Sequence, residues 1–231
     1  MSIKLGTLIF ARFESTRLPG KALIELGGLP LLERVIRRAQ LLPWPVFLAT
    51  TDRAADDQLV SLAAQLDVLS FRGSSERVLE RAVLAAEAFE LDAFIRLCGD
   101  RPLFSLDDLE HAASQWRSAF QSDPLCPPDL VSNCLGQTCP RGLTTEIVRT
   151  HTLRQILDCG VSHSQQEHLT QYFYENTSQF KIIRIDAPRA AFRCPGFALD
   201  TESDLTRLKS IFDACPDIDL SPADADRIFS S

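Results

Sequence analysis

Ile3-Lys4-Leu5-Gly6-Thr7-Leu8-Ile9-Phe10-Ala11 runs directly into Arg12-Phe13-Glu14-Ser15-Thr16-Arg17-Leu18-Pro19-Gly20-Lys21. The first nine residues form an apolar run of strand length. The next ten bring in Ser, Thr, Pro and Gly, which are loop residues. Pro30 then opens a helix in which Leu31, Leu32, Val35, Ile36 and Ala39 recur at helical spacing, with Glu33, Arg34, Arg37 and Arg38 on the other face. The alternation continues outward. Val46–Ala49 is expected as a strand, Ala54–Leu66 as a helix, Val68–Phe71 as a strand, Glu76–Phe89 as a helix, Phe94–Cys98 as a strand and Ser105–Phe120 as a helix. Four strand–helix alternations in about 120 residues imply parallel strands joined by right-handed crossovers. The fold class is therefore α/β, a Rossmann-like, mostly parallel sheet with helices on both faces. Short strands that are apolar throughout fit burial on both sides. Such sheets bind ligands beyond the carboxyl ends of their strands.

The second half is less regular. Leu130–Asn133, Glu146–Arg149 and Phe180–Ile185 read as strands; Leu153–Leu157, Gln166–Tyr174, Glu202–Phe212 and Ser221–Phe229 read as helical. One domain over 1–231 is the simplest organisation, with a regular half at 1–122 and a less regular half at 123–231.

Composition narrows the partners. A formal net charge of -7, with no Lys/Arg block, argues against nucleic acid. No apolar run reaches the roughly 18 residues of a membrane span. Met1–Phe10 lacks a positive n-region and a small-residue cleavage site, so it reads as a strand and not as a signal peptide. Seven cysteines at irregular spacing, with no C-x-x-C pair, argue against a disulfide framework and imply a cytoplasmic protein. Cys134 and Cys139 lie five apart, but the spacing of His151 and His163 does not suit zinc.

The loop after the first strand carries three cations, Arg12, Arg17 and Lys21, within ten residues, opposed only by Glu14. Its position at the ligand edge suits a polyphosphate, which needs fixed cations and close-approaching backbone. It is not a Walker A loop. Gly99-Asp100 follows the fourth strand directly, so Asp100 is the first candidate for a Mg²⁺ ligand; Mg²⁺ takes one or two carboxylates together with phosphate oxygens and water. Thr201-Glu202-Ser203-Asp204 is a capping-box pattern that gives Asp204 a structural task and leaves Asp200 free as a second ligand. After the third strand, Arg72-Gly73 either reads a base edge or is ordinary surface before a helix cap.

Ala11-Arg12-Phe13-Glu14-Ser15-Thr16-Arg17-Leu18-Pro19-Gly20-Lys21 resembles the A-R-x-x-S-x-R-x-P-G-K signature of the CMP-sugar synthetases, and the chain is most similar to their SpsF-like branch. The resemblance continues through Leu97-Cys98-Gly99-Asp100-Arg101-Pro102-Leu103, Pro140-Arg141-Gly142-Leu143, Glu167-His168-Leu169-Thr170 and Leu199-Asp200-Thr201. It implies that Ala11, Arg12, Ser15, Arg17 and Lys21 hold the nucleotide, CTP, and that Asp100 and Asp200 hold Mg²⁺. Arg12, Lys21 and Asp100 would then carry the catalysis. It implies an acceptor of sugar-acid or sugar-phosphate type near Arg101, Arg141, Glu146, Glu167 and His168, and a homodimer through the apolar stretch Leu130–Phe192.

Departures from the pattern are Arg77 and Thr144, where acidic residues are common, and Arg101, where a thiol is common. Arg101 either meets a ligand anion or pairs with Asp108. Arg141 and His168 are either acceptor contacts or structural. The expected reaction is transfer of CMP from CTP with release of pyrophosphate. The alternatives are another nucleoside triphosphate or a catalytically silent nucleotide-binding subunit.

Overall fold

The computed structural model describes residues 3–136, 139–186 and 192–231. The opening apolar run forms β1 (Leu5–Phe10), and a short hairpin, β2 (Glu25–Leu26) and β3 (Leu29–Pro30), leads into α1 (Leu31–Ala39). Then follow β4 (Val46–Thr51), α2 (Asp57–Gln65), β5 (Leu69–Gly73), α3 (Val78–Ala88), β6 (Ala93–Cys98) and α4 (Leu106–Ser122). The second half adds β7 (Leu130–Ser132), β8 (Glu146–Arg149), α5 (Thr150–Asp158), α6 (His163–Glu167), α7 (Gln171–Glu175), β9 (Ile182–Arg184), α8 (Glu202–Ala214) and α9 (Pro222–Phe229). Seven strands form one sheet in the order β5-β4-β1-β6-β8-β7-β9. β1, β4, β5 and β6 are mutually parallel; β8 is antiparallel to β6 and β7, and β9 is parallel to β7. The expected α/β class with a mostly parallel sheet is what the chain adopts.

Strand alternation sends residues of one strand to two cores. Leu5 and Ile9 of β1, Ile95 of β6 and Ile147 of β8 pack with α1, α2, α4, α8 and α9. Leu8, Phe94 and Val148 pack on the other face with α3 and α5 and with Leu169 and Phe173. Leu8 is fully buried; its truncation to Ala would cost about 2–5 kcal/mol. Helix starts are set by side chains. Ser105 accepts from the Asp108 amide at 3.1 Å, Ser221 from Asp224 at 3.1 Å, and Thr201 with Asp204 forms the expected capping box.

Two expectations are corrected. Arg34 and Arg38 do not lie on an exposed face of α1: they are 2% and 1% exposed. The Arg34 guanidinium donates to the Leu26, Gly27 and Pro216 carbonyls and stacks over Phe212; that of Arg38 donates to Phe104 and Ile218. Leu26 ends β2 and the other carbonyls lie in connections, and the planar forks satisfy them. The helix expected over Gln166–Tyr174 is two short ones. α6 ends where His168 leaves helical geometry (ψ 87°), and the intervening Leu169 and Thr170 are buried.

The order of strands fixes the site. The chain moves from β1 outward to β4 and β5, then returns to place β6 on the other side of β1. That reversal opens a crevice at the carboxyl ends of β1 and β6, where the cationic loop and Gly99-Asp100 emerge.

Candidate active site

A cleft of about 720 Å³ lies at this edge, and Ala11, Arg12, Ser15, Arg17, Lys21 and Asp100 line it. The loop is held in shape from beneath. Buried Asp56 accepts from the Phe13 amide at 2.7 Å, from the Thr51 amide at 2.8 Å, and from the Thr50 and Thr51 hydroxyls. Burial works against its charge, but the hydrogen bonds from Thr51, Phe13 and Thr50 outweigh it and hold the carboxyl below its ordinary value. The Ser15 hydroxyl accepts from the Leu18 amide at 3.4 Å, and Gly20 turns the chain at φ 69°. Glu14, the sole acid of the loop, is drawn aside by Arg53. Arg12 and Arg17 stay exposed.

Asp100 and Asp200 converge on one ammonium. Lys21 Nζ donates to Asp100 Oδ2 at 2.7 Å, to Asp200 Oδ1 at 2.8 Å and to the Leu199 carbonyl at 3.0 Å. Arg17 stands 3.3 Å from Asp200 Oδ2. Burial disfavours the Lys21 charge, but the two carboxylates more than offset this and raise its pKa. Backbone contacts bring the distant Asp200 here: the Leu199 amide donates to the Asp100 carbonyl at 2.8 Å, and the Phe197 amide to the Arg141 carbonyl at 2.7 Å. Two glycines make these approaches feasible. A Cβ on Gly99 would lie 2.8 Å from Ala11 Cβ, and one on Gly142 (φ 93°) would lie 2.6 Å from the Phe197 backbone. Asp204 is structural, as expected, and binds Arg207 and Arg141 besides the cap.

The acceptor candidates divide. Arg101, Glu167 and His168 line the cleft, and so do His163 and Arg96. The Arg101 side chain makes no ion pair with Asp108 or any other described residue. Arg141 is held at 2.9 Å by Asp204 and 3.6 Å by Asp200, with half its side chain exposed. Glu146 does not reach the cleft. It is 2% exposed behind Arg96, which donates to it at 2.5 Å, and the Tyr174 hydroxyl also donates at 2.5 Å. Burial opposes the Glu146 charge, but Arg96 and Tyr174 hold its pKa low; the Arg96 pKa is raised despite burial.

The base-reading candidates turn away. Arg72 donates to Asp57 at 2.6 Å, the Thr51 carbonyl at 3.0 Å and the Arg53 carbonyl at 2.7 Å, and neither it nor Gly73 lines the cleft. Arg81 of α3 does. It is 4% exposed, bonded to the Ser74 carbonyl at 2.5 Å, and its pKa falls to about 10 through burial and the nearby Arg12 charge. Sequence reading missed Arg81, Arg96, Asp56 and His163. A signal existed for Arg96, a charge inside the apolar run Phe94–Cys98.

Cys134 and Cys139 both donate to Asn133 Oδ1, at 3.3 and 3.6 Å, and no group of three or more metal-ligating side chains occurs among the described residues. Asp100 and Asp200 instead offer two carboxylates at an open cleft, a donor set that suits a hard divalent cation sharing phosphate oxygens.

A sheet of this order with a cationic loop after its first strand and two aspartates at the crevice defines an α/β nucleotidyltransferase. The sequence profile of the cytidylyltransferase family matches residues 7–223, and the chain belongs to that family. It is 31% identical over 229 residues to the spore coat polysaccharide biosynthesis protein SpsF of Bacillus subtilis, covering 93% of this chain and 90% of that protein. It is 33% identical over 200 residues to a 3-deoxy-manno-octulosonate cytidylyltransferase of Legionella pneumophila, covering 83% and 75%. A cytidylyltransferase structure from Leptospira borgpetersenii superposes with a TM-score of 0.90 at 27% identity, covering 99% of this chain and 94% of that one. The chain is thus a nucleotidyltransferase that transfers CMP.

Proposed function

We propose that the protein transfers CMP from CTP to a sugar acid or sugar phosphate, with Mg²⁺, at the cleft between β1 and β6. The product would feed polysaccharide or glycoconjugate synthesis. The observation that carries this reading is the convergence of Asp100 and Asp200 on Lys21, within 3 Å of one ammonium, beneath the Arg12–Lys21 loop.

In the proposed mechanism the triphosphate lies along the loop, with Arg12, Arg17, Ser15 and Lys21 as donors and Ala11 at its base. The acceptor oxygen, its proton passing to solvent where it is a hydroxyl, bonds to the α-phosphorus as the bond to the β-phosphate oxygen breaks in line and pyrophosphate leaves. Lys21, Arg12 and Arg17 stabilise the charge that collects on the departing pyrophosphate. Asp100 and Asp200 would hold Mg²⁺, which when bound supplies charge neutralisation on the phosphate oxygens. Arg81 replaces Arg72 and Gly73 in the nucleotide site, because it faces the cleft and they do not. Arg101, His168 and Glu167 form the acceptor end, with Arg141 beside Asp200, and no covalent intermediate is required.

The acidic net charge supports small-molecule partners over nucleic acid. The cytoplasm suits seven unpaired thiols. The proposal includes a homodimer through the second half, where β9 is an outer strand; of Leu130–Phe192, residues 137–138 and 187–191 lie outside the described residues. No described helix is long and apolar enough to cross a membrane. The test is pyrophosphate release with CTP, UTP, GTP or ATP over a panel of sugar acids and sugar phosphates. Release with CTP is expected. Release with UTP or GTP alone, or none with any pair, would overturn the proposal.

A further inference from the structure

Seven thiols are unpaired, and two of them meet. Cys134 Sγ lies 3.3 Å and Cys139 Sγ 3.6 Å from one oxygen, Asn133 Oδ1, and the two thiols hydrogen-bond each other. Gly136 turns the chain back between them at φ 66°. Both side chains are part-exposed, so a small oxidant can reach them. Cys98, Cys194 and Cys215 bond instead to Arg96, the Gly196 carbonyl and Asp217, while Cys126 and Cys159 lie exposed. The two thiols are unequal. The hydrogen bond from Cys139, aided by Thr144 and the Arg101 charge, outweighs burial and holds the Cys134 thiol below its ordinary pKa; the same bond, together with burial, pushes Cys139 up.

We infer that Cys134 and Cys139 are a modification site, a dithiol that a peroxide closes to a reversible disulfide, and that closure draws the turn from Pro140 to Leu143 off its contact with Phe197. The Cys134 thiolate bonds to one peroxide oxygen as the O–O bond breaks, which gives a sulfenic acid; the departing hydroxide takes up a proton and leaves as water. The Cys139 sulfur, its proton passing to solvent, then bonds to the Cys134 sulfur as the S–O bond breaks, and a second water leaves. Each sulfur gives up one electron, and one peroxide is reduced to two waters. Bonded sulfurs stand closer than hydrogen-bonded ones, so one side must move. Cys134 is the fixed side: it follows β7, its amide donates to the Ser132 hydroxyl at 3.0 Å, and its neighbour Asn133 is fully buried. Cys139 leads into the turn, which the Leu143 amide closes on the Pro140 carbonyl at 3.0 Å. Asn133 holds the far end of that turn, donating to the Leu143 carbonyl at 2.9 Å and accepting from the Thr145 amide at 2.9 Å. Closure takes both S–H donors from Asn133 Oδ1 and pulls the near end. The residue displaced is Arg141, whose carbonyl receives the Phe197 amide at 2.7 Å.

The test exposes the reduced full chain to hydrogen peroxide and maps the digested product by mass spectrometry. A Cys134–Cys139 link, lighter by two hydrogens and reversed by dithiothreitol, is expected to form before Cys126 or Cys159 is oxidised. In Cys139→Ser, Cys134 is expected to stop at the sulfenic acid, trapped by dimedone about tenfold more than in wild type. Hydrogen exchange at the Phe197 amide is expected to rise about tenfold in the oxidised protein, with β1 unchanged, and to return on reduction. Peroxide-treated Cys139→Ser should show no such rise. Through Leu199 the shift reaches Asp200, a step that rests on the proposed function: the gain that Mg²⁺ gives to CTP binding should shrink on oxidation. Reduced protein that binds no CTP would overturn that function, while the link and the exchange still decide the inference. Absence of the link, or a link that forms no faster than bonds to Cys126 and Cys159, overturns the site. A link that leaves Phe197 exchange unchanged overturns its coupling to the turn.

Discussion

Replacing Lys21 with Met removes the shared counter-charge of Asp100 and Asp200 and keeps most of the side-chain volume. In the native protein the Lys21 side chain is 15% exposed and each aspartate 24%, with N···O distances of 2.7 and 2.8 Å. A charge-assisted hydrogen bond contributes about 1.5–3 kcal/mol, and an unpaired carboxylate left behind adds a penalty that partial exposure reduces. A net loss of about 2 kcal/mol follows for the ligand-free protein, or about 4–8 °C in Tm for a chain of this size. The same two carboxylates are the proposed seat of Mg²⁺, so in wild type the ammonium competes with the cation. In Lys21→Met, Mg²⁺ without nucleotide is expected to recover part of the lost stability and to raise Tm more than in wild type.

The Lys21 pKa lies above its ordinary 10.5 in the folded state. Its contribution is therefore complete below about 10.5 and disappears only as pH rises through the raised value. The difference in stability between the two proteins should be flat from pH 7 to 9. Thermal unfolding followed by circular dichroism, with and without Mg²⁺, is the assay. Equal Tm values and equal responses to Mg²⁺ would refute the reasoning, because they would mean that the three charges do not share one site.

Two further predictions concern residues outside the reacting centre. Burial disfavours the Asp204 charge, but Arg207, Arg141, the Thr201 hydroxyl and the Asp200 amide hold its carboxyl well below its ordinary 3.8. Its stabilisation is present above about pH 4 and is lost as pH falls below that value. Asp204→Asn should cost about 3 kcal/mol at pH 7 and flatten the acid limb of the stability profile, measured by urea unfolding from pH 7 to 2.5. Arg72→Met should leave the Kd of CTP within about twofold, because its donors are taken by Asp57 and two carbonyls, and should cost no more than about 1 kcal/mol in stability. A tenfold weaker Kd would restore it to the nucleotide site.

The nucleotide half was legible because its signals are local. An apolar run, a loop with three cations and a Gly-Asp after a strand each reside in one stretch of chain, and the parallel topology then dictates where their ends meet. What the sequence hid is tertiary. Arg34 and Arg38 have helical spacing suited to a solvated face, and only the packing of the β2–β3 turn and of the segments at 104 and 216–218 shows that backbone carbonyls accept from them inside. Arg72 and Arg81 are both arginines near the end of β5, and which one faces the cleft depends on a side-chain direction that no spacing encodes. Glu146 has the right motif context for ligand contact, yet the β6–β8 register sets it behind Arg96. The capping box that used Asp204 left Asp200 free, the family resemblance implied its role, and its approach to Asp100 needed the backbone contacts at Leu199 and Phe197.

The most direct measurement is a calorimetric titration of CTP into the protein with and without Mg²⁺, repeated for Asp100→Asn and Asp200→Asn. Wild type should bind CTP more tightly when Mg²⁺ is present, and each variant should lose that gain while remaining folded. Affinity that ignores Mg²⁺ in wild type, or variants that keep the full gain, would contradict a site built from Lys21, Asp100 and Asp200 around one triphosphate.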